Sequence, residues 1–186
     1  KSVSGTGVVA EYHEYVVDAE GNLKETIYLN DTGSGSARSP RWRSTTTNGL
    51  GWVIVESQPA PPAAAGASQG VLTTRHFYNA KGQRIRTEHA AQPDQIYAYD
   101  LFGRQSAQGI DLNGNHVLDL TGANAEPVTS TVSSFEQVSG SWFEKTVTSE
   151  TASSINGTAP RTRTFLRLLG GALYDIGYEY GSDGLV

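Results

Sequence analysis

The stretch that decides the fold is His76–Arg104, which reads HFYNAKGQRIRTEHAAQPDQIYAYDLFGR. It contains two similar units, YNAKG and YDLFG, in which an aromatic residue is followed by Asn or Asp, two variable positions and Gly. Asn or Asp can accept a hydrogen bond from the backbone N–H two residues later, and Gly supplies the positive φ that closes a hairpin. Gly103 follows Gly82 by 21 residues. The stretch therefore predicts consecutive antiparallel β-hairpins.

Weaker copies of this unit extend toward both ends of the chain. VDAEG ends at Gly21, TNGLG ends at Gly51, and YGSDG ends at Gly184. The first two copies are followed by longer intervals, and the loop-like segments TGSGSARSP and PAPPAAAGAS account for the excess over 21 residues. A single hairpin cannot bury its face alone, so stacked neighbours are expected to complete the fold.

The remaining sequence also has the composition of short strands. Segments rich in β-branched and aromatic residues are bounded by Gly, Pro, Asn or Asp, and several alternate apolar with polar residues, which predicts one buried and one wet face. We predict an all-β fold of antiparallel β-hairpin repeats forming a curved, stacked sheet, with a β-sandwich as the alternative. We expect one repeat domain over residues 1–186, cut from a longer chain, with the clearest repeats at 71–105 and strands without repeats at 128–177.

The two clearest units resemble the YD repeats of the Rhs family, which also occur in Tc-toxin shell subunits and teneurins. The second unit matches the Y-D-x-x-G-R pattern in full, at Tyr99, Asp100, Gly103 and Arg104. The first unit departs from it, with Asn in place of Asp and with Gln where Arg is usual, and matches at Tyr78, Asn79 and Gly82. The resemblance implies that these residues shape turns. It also implies a long β-strand spiral that forms a hollow shell, often around a toxin, or that lies on a cell surface.

Composition excludes several classes of protein. The net charge is -5, which disfavours a nucleic-acid binder, and no apolar run is long enough to span a membrane. The chain contains no Cys and no Met, so thiolate metal sites and a Cys nucleophile are excluded. The absence of the readily oxidised residues Cys and Met, with abundant Gly, Ser, Thr and Tyr, favours a secreted or cell-surface protein, and an intracellular location stays open as the alternative.

The segment DLNGNHVLD has the pattern of a calcium loop. Oxygen ligands occur at alternate positions, at Asp111, Asn113, Asn115, the carbonyl of Val117, and Asp119. The twelfth position is Gly122, so the bidentate carboxylate of an EF-hand is missing and the expected Ca²⁺ affinity is modest. The same residues also suit an Asn-Gly hairpin turn, and both interpretations stay open.

Catalytic patterns are weak. Asp31-Thr32-Gly33 resembles an aspartic-protease loop, but no second copy exists to share its proton. His76 and His89 are expected to face each other across the Gly82 turn as a polar pair.

We therefore predict a non-enzymatic structural or surface-interaction module. Its partners are expected to be neighbouring repeats or other protein chains that meet it at sheet edges. The alternative is an extracellular carbohydrate-binding β-sandwich, stabilised by Ca²⁺, in which Trp42, Trp52 and Trp142 stack on sugar rings. In a β-protein with few large aliphatic residues, such Trp side chains are more often core or cross-strand contacts.

Overall fold

The computed structural model describes residues 10–31, 38–61, 69–120, 126–151, 161–168, 176–181 and 184–185. The chain divides into two compact units, Lys1–Gln92 and Pro93–Val186. The described residues are β-strands and the turns and loops between them, with no helix among them.

The first unit is an antiparallel meander. Its strands pair in chain order, each with the next. They are β1 (Glu11–Val17), β2 (Leu23–Leu29), β3 (Trp42–Thr47), β4 (Val53–Pro59), β5 (Val71–Tyr78) and β6 (Arg84–His89). The tight turns after β1, β3 and β5 lie at one end of the strands, because antiparallel strands reverse direction at every connection.

The longer connections of the first unit lie at the opposite end of its strands. The predicted insertion TGSGSARSP falls between β2 and β3, and PAPPAAAGAS begins at the end of β4 and leads toward β5. Residues 32–37 and 62–68 of these insertions lie outside the described residues. Chain length therefore varies at one end of the sheet only, and the tight turns at the other end keep their spacing along it.

The second unit is built in the same way. Successive strands again pair antiparallel in chain order. They are β7 (Gln92–Tyr99), β8 (Gln105–Asp111), β9 (Val128–Val138), β10 (Ser141–Thr151), β11 (Arg161–Leu168), β12 (Ile176–Gly181) and β13 (Gly184–Leu185). The first residue of β7, Gln92, is counted with the first unit, and the rest of the strand belongs to the second. The predicted copy of the turn motif at Gly184 runs into residues 182–183, which lie outside the described residues.

Few apolar side chains are buried. In the described residues the buried hydrophobic side chains are Ile96, Tyr97 and Val128, all in the second unit. The described part of the first unit buries mainly polar side chains, and the strand register distributes them over both faces of the sheet: Thr26 and Ser44 on one, His76 and Thr87 on the other. The expectation of one buried and one wet face is therefore wrong for this unit.

The all-β, antiparallel prediction is confirmed. The β-sandwich alternative is wrong for the described residues, because the strands of each unit pair in chain order within a single sheet. The single-domain prediction and the predicted curvature stay predictions. No helix in the described part of the chain has the length and hydrophobicity that a bilayer crossing requires.

Candidate functional site

Within the described part of the chain one turn geometry occurs four times, at hairpins that begin with Asp18, Asn48, Asn79 and Asp100. In each, the N–H of the Asp or Asn donates to the carbonyl four residues later at 2.8 to 3.0 Å, and the Gly N–H donates back to its carbonyl at 2.9 to 3.1 Å. The side-chain Oδ1 accepts the N–H groups two and four residues later at 2.9 to 3.1 Å. The four glycines, Gly21, Gly51, Gly82 and Gly103, have φ between 78° and 86°. The expected Asx-turn closed by a left-handed Gly is thus present at all four positions.

The residue after each Gly often binds the second atom of the Asp or Asn side chain. Arg104 donates from Nε to Asp100 Oδ2 at 2.7 Å, and Asn22 donates from Nδ2 to Asp18 Oδ2 at 2.9 Å. Asn79, which has an amide instead of a second carboxylate oxygen, donates from Nδ2 to Gln83 Oε1 at 2.7 Å. Asn with Gln therefore replaces Asp with Arg as a matched pair. Sequence reasoning missed this pairing, although both differences from the Asp100 unit occur in the same unit.

The aromatic residue of the first clear motif contacts the preceding hairpin. The Tyr78 ring lies 5.3 Å from the Trp52 ring, centroid to centroid, and its hydroxyl donates to the Val53 carbonyl at 2.8 Å. The position equivalent to Tyr78 in that preceding hairpin is Thr47, which has no ring. The Trp52 side chain, from the residue after Gly51, lies beneath Gly82 and provides the ring that Tyr78 contacts.

Tyr99 and Tyr78 both stand at a change of register. The pairing shifts between Ala98 and Tyr99 and between Phe77 and Tyr78, which places a β-bulge beside each turn. The hairpin of Asn48 has the same shift. The bulge accommodates the extra residue that the Gly-closed turn introduces.

Arg104 extends the second clear motif toward β10. Its Nη1 lies 3.6 Å from Glu144 Oε1, and its guanidinium lies 5.3 Å from the Phe102 ring centroid. Burial is the largest single influence on the pKa of Asp100 and raises it, but the hydrogen bonds and charge of Arg104 and the Phe102 N–H together outweigh it and lower the pKa. The carboxylate form of Asp100 is therefore the one the turn stabilises.

The four predicted calcium ligands lie in one hydrogen-bonded loop after β8. The Asp111 carboxylate accepts the N–H groups of Gly114, Asn115 and His116 at 2.6, 3.2 and 2.7 Å. Asn113 Oδ1 and Asn115 Oδ1 each accept the backbone N–H two residues later, at 2.9 and 2.8 Å. Their Nδ2 groups donate to Asp119 Oδ2 at 2.7 and 2.9 Å. These amide N–H groups stabilise the Asp119 carboxylate in the position where a bound cation would otherwise stabilise it. Calcium binding by this loop stays a prediction.

Glu126 fixes both ends of this loop and was not identified from the sequence. It is 1% exposed, and its carboxylate accepts the Leu112 N–H at 2.8 Å and the Asp119 N–H at 3.2 Å. Its own N–H donates to the Asp119 carbonyl at 2.9 Å. Glu126 lies seven residues beyond the end of the segment that it caps, so the pattern of residues within that segment does not identify it.

A second group of ligating atoms forms beside the loop. Asp94 is the cross-strand partner of Asp111, and the His116 ring turns toward both carboxylates. His116 Nδ1 lies 3.3 Å from Asp94 Oδ2 and 3.4 Å from Asp111 Oδ2, and the three ligating atoms lie within 4.8 Å of one another. Burial raises the pKa of Asp111, but the N–H groups of His116, Gly114 and Asn115 and the charge of His116 outweigh it and lower the pKa.

The two histidines near Gly82 pair with threonines and not with each other. His76 is opposite Thr87 and His89 is opposite Thr74, with Nδ1 to Oγ1 distances of 3.3 Å in both pairs. His76 Nε2 also lies 3.0 Å from the carboxylate of Glu56. The expected polar pairing is present, but with other partners than we predicted.

Asp31, the candidate protease residue, caps its own loop. It is 7% exposed, and its Oδ2 accepts the Ser39 N–H at 2.9 Å. Thr32 and Gly33 lie outside the described residues.

Of the three Trp residues, Trp42 and Trp52 are half-buried and Trp142 is exposed. Comparison with known protein families, curated proteins and solved structures finds no match.

Proposed function

We propose that the chain is a non-enzymatic structural and surface-interaction module, a segment of a hairpin wall of the kind that the YD-repeat resemblance implies. The observation that supports it most is the same turn geometry at four hairpins, Asp18, Asn48, Asn79 and Asp100, in sheets whose described residues bury few apolar side chains. Repetition of one turn keeps successive hairpins in register, which is what an extended wall requires. The same proposal locates the protein outside the cell or at its surface, on composition alone.

Exposed apolar side chains support partners that are other protein surfaces. A sheet normally covers at least one face with another layer. On β1, which is an edge strand among the described strands, Tyr15, Val16 and Val17 are 61%, 59% and 64% exposed. An edge of this kind, with unpaired backbone groups and apolar side chains, pairs readily with another strand. We propose that neighbouring repeats or other chains cover it.

Sedimentation velocity over a wide concentration range tests this proposal. We expect concentration-dependent association, and we expect Val16→Lys to weaken it because a charge on an edge strand opposes pairing. Ala19→Lys is the matched control, since it adds the same side chain at the exposed turn of the same hairpin. A monodisperse monomer at every concentration, or equal association of the two variants, would contradict the proposal.

A second candidate function is glycan binding by the β9–β10 hairpin. Phe135 and Trp142 are 64% and 53% exposed, and the register places them on the same face, since Phe135 pairs with Glu144 and Trp142 with Gln137. Exposed aromatic rings beside amide and carboxylate groups suit the stacking and hydrogen bonding of sugars.

Glycan-array binding separates the two candidates. Under the second, Trp142→Ala abolishes binding to a glycan, whereas Trp42→Ala retains it as long as the protein stays folded. Absence of binding to any glycan, or equal loss in both variants, counts against glycan recognition by this hairpin and leaves the structural proposal intact.

A further inference from the structure

We infer that Asp94, Asp111 and His116 form a binding site for a divalent transition-metal ion of the Zn²⁺ type. This site goes beyond the structural function proposed above and differs from the predicted calcium loop. Of the predicted calcium ligands it uses only Asp111, and it adds the imidazole nitrogen of His116, from the same loop, and the carboxylate of Asp94, from a neighbouring strand.

The distances between the ligating atoms fit such an ion. Zn²⁺ binds nitrogen and oxygen ligands at about 2.0 to 2.1 Å, which places neighbouring ligands of a tetrahedral site about 3.3 Å apart. His116 Nδ1 lies 3.3 Å from Asp94 Oδ2 and 3.4 Å from Asp111 Oδ2. The two carboxylate oxygens lie within 4.8 Å of each other, so all three atoms can reach one ion together.

The strand register supplies an independent reason for a cation here. Asp94 and Asp111 are directly opposite each other on β7 and β8, and like charges in that position destabilise a sheet. The Asp111 side chain is fully buried and that of Asp94 is 15% exposed, so water screens their repulsion poorly. A divalent ion would offset both charges at once.

The backbone holds the three ligands in place. The hairpin register fixes Asp94 against Asp111, and three loop N–H groups hold the Asp111 carboxylate. The loop that carries His116 is closed by the Glu126 carboxylate at Leu112 and Asp119. His116 itself is 55% exposed, which leaves an approach for the ion and a solvent-facing fourth coordination position.

The ligand set selects the class of metal. Two carboxylate oxygens with one imidazole nitrogen suit Zn²⁺, Co²⁺ or Mn²⁺, whereas Ca²⁺ takes six to eight oxygen ligands. A bound ion would fasten the loop after β8 to β7.

Titration of the whole chain with Zn²⁺ and Co²⁺ tests the inference. We expect saturable Zn²⁺ binding by calorimetry with one site of highest affinity, and a visible Co²⁺ spectrum of a tetrahedral or five-coordinate site. His116→Asn and Asp94→Asn should each weaken binding more than about tenfold, since both remove a direct ligand. Asn suits position 116 because His116 has a left-handed φ of 62°, which Asn tolerates.

His89→Asn is the matched control, because it removes a histidine that lies outside the cluster, and it should retain the affinity. Circular dichroism establishes that each variant is folded, and Asp94→Asn provides a second test if His116→Asn is not. Equal Zn²⁺ affinity of the folded wild-type and both ligand variants would overturn the inference. Saturable binding of Ca²⁺ without Zn²⁺ would overturn it as well, and would favour the oxygen ligands of the loop.

Discussion

At the scale of single residues, one side chain organises each tight turn. The Asp or Asn accepts two backbone N–H groups, Gly adopts the left-handed conformation, and in three turns the residue after Gly binds the remaining side-chain atom. Two chemically different pairs form the same turn, namely Asp100 with Arg104 and Asn79 with Gln83. An Asn at position 100 would leave Arg104 without its acceptor, so the two positions are expected to change together.

Gly21 and Gly82 have similar left-handed φ values, 84° and 78°, but different surroundings. Substitution of each by Ala therefore distinguishes the cost of backbone strain from the cost of steric overlap. A Cβ at Gly82 would lie 2.7 Å from Trp52 Cζ2, whereas a Cβ at Gly21 meets nothing within 4 Å. A left-handed φ costs Ala roughly 1–2 kcal/mol, so Gly21→Ala should lose about that much stability. We expect Gly82→Ala to lose more in denaturant unfolding, because Trp52 must also move. Equal losses would show that Trp52 does not pack beneath the turn.

The acidic turns should make stability depend on pH. The hydrogen bond from the Asn22 side chain is the largest cause that lowers the pKa of Asp18, followed by the Asn22 N–H. A carboxyl with a lowered folded-state pKa stabilises the fold above its unfolded pKa of about 3.9, and this contribution is lost as pH falls through the folded pKa. Acid should therefore weaken the wild type more than Asp18→Asn.

Unfolding by denaturant at a series of pH values measures this difference. Glu20→Gln is the control, because it removes a carboxyl of the same turn that accepts no backbone N–H. Parallel pH profiles for the wild type and Asp18→Asn would refute the role assigned to Asp18.

At the scale of elements, the loop between β8 and β9 differs most from the tight hairpins. It packs onto β8 at Gly109, where an added Cβ would lie 2.8 Å from Leu118 Cδ2 and 2.8 Å from the Pro127 carbonyl oxygen. Its interior holds carboxylates that accept backbone and amide N–H groups. The loop is therefore held by polar contacts, with Glu126 and Asp111 as the main acceptors.

Replacement of the buried Glu126 should open this loop. Glu126→Gln keeps the size of the side chain but turns one acceptor into a donor, which faces the N–H of Leu112 or Asp119. An unsatisfied buried group of this kind costs about 1–3 kcal/mol. Glu136→Gln, at a 44% exposed side chain, should cost under about 0.5 kcal/mol. Denaturant unfolding compares the two, and equal small losses would contradict the assigned role.

The amide groups around Asp119 predict how calcium acts on this loop. Asn113→Asp replaces the Nδ2 group 2.7 Å from Asp119 Oδ2 with a carboxylate oxygen, so repulsion should destabilise the variant in a chelator. Ca²⁺ should restore its melting temperature and raise that of the wild type less. No calcium response in the variant would show that the loop cannot form an oxygen cage, even with a third carboxylate.

At the scale of the whole molecule, the sequence predicted those features whose residues lie close together in the chain. The tight turns follow from Asp or Asn and Gly at fixed spacing, because the hydrogen bonds that define each turn all lie within five residues. Glu126 and the pairing of Asp94 with Asp111 depend on strand register and on a long connection, which the spacing of residues does not reveal. The expected apolar face failed for a different reason, since small and polar side chains occupy the most buried positions of the described first unit.

Amide hydrogen exchange of Gly21, Gly51, Gly82 and Gly103 tests the central claim, that one turn geometry is repeated along the chain, most directly. Each of these N–H groups donates to the carbonyl of the Asp or Asn three residues earlier. We expect all four N–H groups to be protected from exchange. We expect Asp100→Ala to remove the protection of the Gly103 N–H and to leave that of Gly21 unchanged. Protection at Gly103 alone, or at none of the four, would contradict a repeated turn as the basis of the fold.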